Sequence, residues 1–262
     1  MRRTTLVAIC IAVGATVGLT ACLPGQDAAD SKPSASAGAN GSGASGAAGE
    51  PFAGLTGGEI ADKALDATTA ASSLRVTGDV PDEETGGTIH IDMAMNKRNE
   101  CAGTMSMDEG KADLIKTGDT IYMRYDEAFL RAQSKGEAEA EVDAVVDMLA
   151  GKWTKTSATG EDAMDIASFC DLDTMLGGAE DVNSDATRGK TTTVDGSPAI
   201  TLREKDGKDR YTVYVATEGK PYLLRLDSSS AGERGTLVFS DFDEPVPAQK
   251  PSGEVLDLDE LG

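Results

Sequence analysis

Histidine is almost missing from this chain: His90 is the only one among 262 residues. That scarcity removes histidine-rich metal sites and most histidine-based acid–base chemistry. His90 itself sits in an alternating stretch on the side opposite its apolar neighbours, with no serine or cysteine nucleophile motif beside it. Positive charge is also scarce, with 24 Lys and Arg against 45 Asp and Glu and a net charge of −21. Such a balance excludes nucleic acid as a partner and keeps the bulk of the chain off anionic head groups. Acidic runs such as Asp82-Glu83-Glu84 and Asp257 to Glu260 read as solvated loops. Cysteine is limited to four residues, none in Cys-x-x-Cys spacing. Asp181-Val182-Asn183-Ser184-Asp185 begins like a calcium loop, but Ala186 stands where glycine is required and Thr192 where the bidentate glutamate belongs. No cofactor site and no catalytic constellation emerge, so the chain is read as non-enzymatic. Low aromatic content (4%) beside abundant Ala, Gly, Asp and Thr hints only at a high-GC genome.

What is present begins at the N-terminus. Basic Arg2 and Arg3 precede an apolar stretch from Leu6 to about Val17, and Leu19-Thr20-Ala21-Cys22 follows. The apolar run is shorter than the roughly 20 residues that span a bilayer. Basic, apolar and small-residue regions in that order form a secretory signal. The four residues ending in Cys22 resemble the lipobox of bacterial lipoproteins, where the cysteine is diacylated and becomes the first mature residue. An ordinary cleaved signal or a short membrane anchor is the alternative. Arg2-Arg3 raises twin-arginine export, but Thr4-Thr5-Leu6 fit that pattern poorly. The expectation is a signal peptide over residues 1–21 and a lipid anchor at Cys22, with the body on the outer face of the cytoplasmic membrane. Each buried methylene of such an anchor contributes about 0.8 kcal/mol. No second apolar run of membrane length follows. Removal of residues 1–21 would leave 22 basic against 45 acidic residues, a charge of −23.

Cys10 would leave with the signal and Cys22 would be acylated. Cys101 and Cys170 then remain as an even pair in an oxidising compartment, and a disulfide between them is expected. Two buried free thiols are the alternative.

Residues 22–50 are Ala, Gly, Ser, Asp and Pro without apolar periodicity and read as a flexible tether. Its random-coil reach is roughly 30 Å. The body is assigned to residues 51–251, one domain, with a loosely attached acidic tail over 252–262. Thr56-Gly57-Gly58-Glu59 has capping-box spacing, and Ile60, Ala64, Leu65, Thr68 and Ala71 share one face of the helix that follows. From Leu74 the period changes to two, through Ile89, Ile91, Met93 and Met95 and then residues 101–107, 112–116 and 121–125. Val142, Val145, Val146 and Leu149 predict an amphipathic helix over 139–150, and shorter helices are expected over 162–169 and 172–176. Strands resume over 186–194, 197–205, 209–217, 221–228 and 235–243, cut by Asp-Gly and Glu-Gly turns. The pattern gives an α+β fold: nine or ten antiparallel strands in one large curved sheet with helices on one face.

Tyr211-Thr212-Val213-Tyr214-Val215-Ala216-Thr217, with Pro221-Tyr222-Leu223-Leu224-Arg225-Leu226 after a turn, resembles a strand pair of LppX/LprG-type actinobacterial lipoproteins. Leu237 to Asp243 is similar to the next strand of that family, and Ser73 to Gly78 to its first. The order of elements covers nearly all of residues 55–250. The resemblance implies a LolA-like half-barrel, with helices covering the concave face around an apolar cavity, and a role in binding or moving acylated lipids. The Cys101 and Cys170 pair suggests a distinct subgroup.

Met93, Met95, Met105, Met107 and Met123 alternate along the strands with Ile89, Ile91 and Ile121 on the same faces. Methionine is flexible and polarisable, so such a wall adapts to acyl chains. With Val142, Val146 and Leu149 as the covering helix, these residues form the expected ligand pocket. The alternative is a plain core, which would make the body an envelope scaffold or protein-interaction module with an unknown protein partner.

Overall fold

The computed structural model describes residues 50–81, 86–107, 110–177, 186–230 and 233–260. The chain divides into two compact units, residues 1–46 and 47–262, and every described residue lies in the second. The signal peptide, Cys22 and nearly all of the tether therefore fall outside the described residues, as does Asp181 to Asp185.

The body begins with helix α1 (Gly57–Thr69) and then runs through strands β1 (Ser73–Pro81), β2 (Thr88–Asn96), β3 (Cys101–Met107), β4 (Gly110–Thr117) and β5 (Thr120–Tyr125). Helices α2 (Glu127–Gln133) and α3 (Glu139–Leu149), strand β6 (Trp153–Ser157), and helices α4 (Glu161–Ser168) and α5 (Leu172–Gly177) follow. The second half contains β7 (Thr187–Val194), β8 (Ser197–Asp206), β9 (Asp209–Ala216), β10 (Leu223–Ser230), β11 (Glu233–Ser240) and β12 (Val255–Asp257). All the strands form one sheet in the order β12-β6-β5-β4-β3-β2-β1-β11-β10-β9-β8-β7. The expected large antiparallel sheet with helices on one face is present. Its ends do not pair with each other, and it is mixed, because β12 runs parallel to β6.

Two meanders, β1 to β6 and β7 to β11, meet where β1 pairs β11. The register there brings apolar residues onto one face in continuous rows. Leu202, Val213, Leu226, Leu237, Gly78, Ile91, Met105, Ala112 and Tyr125 succeed one another from β8 to β5. A neighbouring row runs Phe239, Val76, Met93, Gly103, Leu114, Met123 and Thr154. Gly78 marks a close crossing: a Cβ there would stand 1.9 Å from the Thr236 carbonyl oxygen.

Helix α1 starts with the expected capping box. Thr56 Oγ1 accepts from Glu59 N (3.2 Å), and Glu59 accepts in return from Thr56 N (2.7 Å). Its apolar stripe, Ile60, Ala61 and Ala64, packs on Ile200, Leu202 and Val215. Thr68, the polar member of that stripe, is fully buried and accepts from Leu223 N (2.9 Å) where β10 is irregular. Helices α4 and α5 cover the middle of the same sheet face, and the Cys101–Cys170 disulfide joins them to β3.

Three elements differ from the sequence reading. Helix α2 was not anticipated: its seven residues bury only Leu130, too little for a visible period, and its start is fixed by Asp126 accepting from Phe129 N. Trp153–Ser157 continues the sheet instead of interrupting it. The tail is not loose at Val255–Asp257, where it pairs with Trp153–Lys155 and Lys155 binds Asp257 at 2.5 Å.

Asp243 gathers the ends of β1 and β10. Its carboxylate accepts from Ser72 N (2.8 Å), Lys220 Nζ (3.0 Å) and Tyr222 Oη (2.9 Å). These donors, the Ser72 amide foremost, hold its carboxyl well below the ordinary value near 3.8. Its contribution is therefore complete above about pH 4 and is lost as pH falls through the depressed folded value. Asp243→Asn should lower the melting temperature at neutral pH, and the gap to the parent should narrow on acidification below the ordinary carboxylate range; thermal melts from pH 7 to pH 2 measure both. The bridge closes a loop of 69 residues. Replacing both Cys101 and Cys170 with alanine should destabilise the body by about 4 kcal/mol in chain-entropy terms, read from urea unfolding midpoints.

Candidate functional site

The core under α4 and α5 is built from the strands the sequence singled out. Met93, Met95 and Ile121 are almost wholly buried and Met123 is 7% exposed; Ile91 and Met105 pack against them half-buried. Ile89 and Met107 face each other farther along β2 and β3, half-buried. Leu172, Leu176, Ala163 and Cys170 close this cluster from the helical side. Much of the methionine wall is thus packed core rather than open lining.

The expected covering helix is misplaced. Val142, Val146 and Leu149 lie on α3, whose main helical partner is α2, and Val146 is its only buried residue. None of the three belongs to the cluster around the methionines. The i, i+3, i+4, i+7 spacing identified an amphipathic helix correctly, but periodicity does not say which surface a helix covers. Arg131 bridges the two helices, binding Glu127 within α2 and Asp143 on α3 (2.8 and 2.9 Å).

A cavity of about 400 Å³ opens beside the packed core, between β5, β6 and α4. Ile121, Met123 and Tyr125 form its floor, continued by Thr154 and Thr156 of β6 on the same face. Gly160, Ala163 and Ile166 bound it on the helical side, and Leu258 and Asp259 at the rim. Of the residues expected to line a pocket, only Ile121 and Met123 reach it. Tyr125 was not anticipated; it donates to Met123 Sδ (3.0 Å), and burial pushes its phenol above the ordinary value. The Tyr125 hydroxyl is thus satisfied within the floor, and β6 adds the hydroxyls of Thr154 and Thr156 beside it.

The rim is fixed by the tail. Asp259 accepts from Thr156 Oγ1 (2.7 Å) and Ser157 N (3.0 Å), and Leu258 N donates to Lys155 O (3.0 Å). Lys155 beside Asp257 holds that carboxyl below its usual range. Alternation of Leu256 and Leu258 was the available signal, obscured by the surrounding acids. On the helical side α4 has only eight residues, with Gly160 at its N-cap and no side-chain cap. It leaves Met164 and Phe169 53% and 47% exposed.

His90 is exposed on the opposite face, 2.8 Å from Asp79. Among the described residues no group of three or more His, Cys, Asp or Glu could hold a metal ion. No helix among them is long and apolar enough to cross a membrane.

No family model matches the chain, and no curated protein matches it by sequence. Solved structures do. LprF from Mycobacterium bovis overlaps with a TM-score of 0.52 at 14% identity, over 75% of this chain and 97% of LprF. The lipoprotein LppX of Mycobacterium tuberculosis overlaps with a TM-score of 0.49 at 16% identity, over 73% of this chain and 97% of LppX. A LolA superfamily protein from Nitrosomonas europaea overlaps at 0.24 and 10% identity, over 75% of this chain and 96% of its own. At these identities the likeness concerns the fold, and LprF carries it: the body is similar in structure to LprF over nearly all of that chain.

Proposed function

We propose that this protein is a lipid-anchored, extracytoplasmic binding protein that holds an acyl chain or comparable apolar ligand without transforming it. The observation that carries this reading is the cavity of about 400 Å³ whose floor is Ile121, Met123 and Tyr125. Its size falls in the usual range for small-ligand pockets, about 300–1,000 Å³, and burial of apolar surface at about 25 cal/mol per Å² supplies useful affinity for one chain. Helix α4 is the movable wall. It is short and has no side-chain N-cap, whereas the disulfide at Cys170 fixes the segment just after it. Access by a swing of α4 about Cys170 enlarges the cavity towards the packed methionines Met93 and Met95. Cys22 would anchor the chain at the outer face of the cytoplasmic membrane, with residues 22–50 as its tether. Transfer of the ligand between membranes is the further step of the same reading.

A second reading is favoured by the exposure of Met164 and Phe169 on α4 and of Met148 on α3 (53%, 47% and 50%). In it the body is an interaction module and those side chains meet a protein partner.

Two experiments test these readings. A Cβ at Gly160 would meet nothing nearer than 3.5 Å, so Gly160→Trp is tolerated by the backbone and fills the cavity mouth. Native mass spectrometry of protein exposed to envelope lipid extract should show a defined lipid adduct in the parent and at least about tenfold weaker uptake in the variant. No adduct in either would transfer support to the interaction module. Cys22→Ser should abolish metabolic labelling with palmitate and release the protein from membranes; continued labelling would refute the anchor.

A further inference from the structure

The outer face of the sheet, opposite the core, carries its charges, and along most of it the cations are matched. Arg75 holds Asp92, Arg124 holds Asp113, Arg225 holds Asp227 and Lys155 holds Asp257, at 2.5 to 2.8 Å. At the β8–β9 end the matching stops. Lys205 stands directly across from Arg210, Arg210 from Ser229, and Ser229 from Arg234. Arg203 lies two residues along β8 on the same face, opposite Thr212. All four cations are exposed, and none forms an ion pair with a described carboxylate. Like charges directly opposite in a sheet are destabilising. The adjacent Asp206 and Asp209 face each other across the same hairpin without an ion pair to Lys205 or Arg210, so these cations stay unmatched in a chain of net charge −21.

A depression of about 480 Å³ lies at this end. Arg203, Lys205, Arg210, Thr187 and Thr212 line it from the outer face, and Glu204 and Tyr211, which alternate with them, from the other side of the strands. We propose that it is a binding site for a phosphate group. Two guanidinium forks and an ammonium match the several oxygens of a phosphate, Arg by bidentate hydrogen bonds and Lys as a point charge. Threonine hydroxyls supply further donors. The same chemistry could come from a phospholipid head group or from free phosphate. Arg203, Lys205 and Arg210 lie by register on the sheet face opposite the floor of the apolar cavity, and their site does not depend on what that cavity holds.

The test uses the full chain, the double variant Lys205→Glu/Arg210→Glu, and Lys135→Glu as a charge control at another exposed position. Inorganic phosphate is titrated by NMR, and binding is measured to phosphatidylcholine vesicles with and without phosphatidylglycerol. Any N-terminal anchor acts on both vesicle types, so only their difference reads the site. Saturable phosphate binding, weakened about tenfold or more in the double variant and unchanged in the control, assigns the site to soluble phosphate. A preference for phosphatidylglycerol vesicles that salt weakens and the double variant abolishes assigns it to head groups. Absence of both responses overturns the proposal, as does an equal loss in Lys135→Glu or no loss in the double variant.

Discussion

The Cys101–Cys170 bridge, the one long-range covalent link of the described body, acts where the fold is hardest to hold together. An unclosed sheet displays an apolar face along most of its strands, and that face must be covered. Helix α1 covers the β8–β9 end through Ile60, Ala61 and Ala64, a full-length helix with a capping box. The middle is covered only by α4 and α5, of eight and six residues, too short to be stable alone. Cys170 lies between them and is tied to the first residue of β3, which places Leu172 and Leu176 over Leu74, Met93, Met95 and Leu114. Without that tie the two short helices would have to hold position by packing alone.

The sequence was most informative where a period ran long or a geometry was obligatory. The switch from period 3.6 to period 2 near Leu74, the capping box at Thr56 and the pairing of two cysteines each express a local rule, and each appears in the structure. The candidate site was less legible, for a reason its residues make clear. Alternation placed Ile121 and Met123 on the right face, and also Met93 and Met95, but it cannot tell a lined cavity from a filled core. That difference depends on which helix lies above each residue. Val142, Val146 and Leu149 had the stronger helical pattern, yet α3 pairs with α2, where Asp143 meets Arg131. The weaker pattern of Ala163 and Ile166 covers the sheet because Cys170 holds it there. Leu258 follows the three-residue parallel strand β12, and its alternation with Leu256 is too short, among so many acids, to stand out as a period.

The two ends of the sheet are managed differently. At the β6 edge, β12 and the pairs Lys155–Asp257 and Asp259–Thr156 cover backbone that would otherwise template association. At the other edge β7 is left polar and largely exposed, with Arg188 turned back to donate to the carbonyls of Phe52 and Leu55. The covered edge is also the one beside the cavity. A strand of three residues, held by backbone pairing and by Asp257 and Asp259, closes the rim; the pairing is short, and its ion pair adds only roughly 0–1 kcal/mol.

That weakness locates the movable parts of the body. The core rows from Phe239 to Leu114 are fixed by strand pairing on both sides, so they do not open without global unfolding. The cavity is bounded instead by the elements with the least intrinsic stability: α4, which no side chain caps, and the tail at Leu258 and Asp259. A rigid apolar floor under two weakly held walls is the arrangement a reversible binder of apolar ligands requires. Under the proposed function, a ligand entering there takes the place of contacts between these walls and the floor, and its own buried surface offsets their loss.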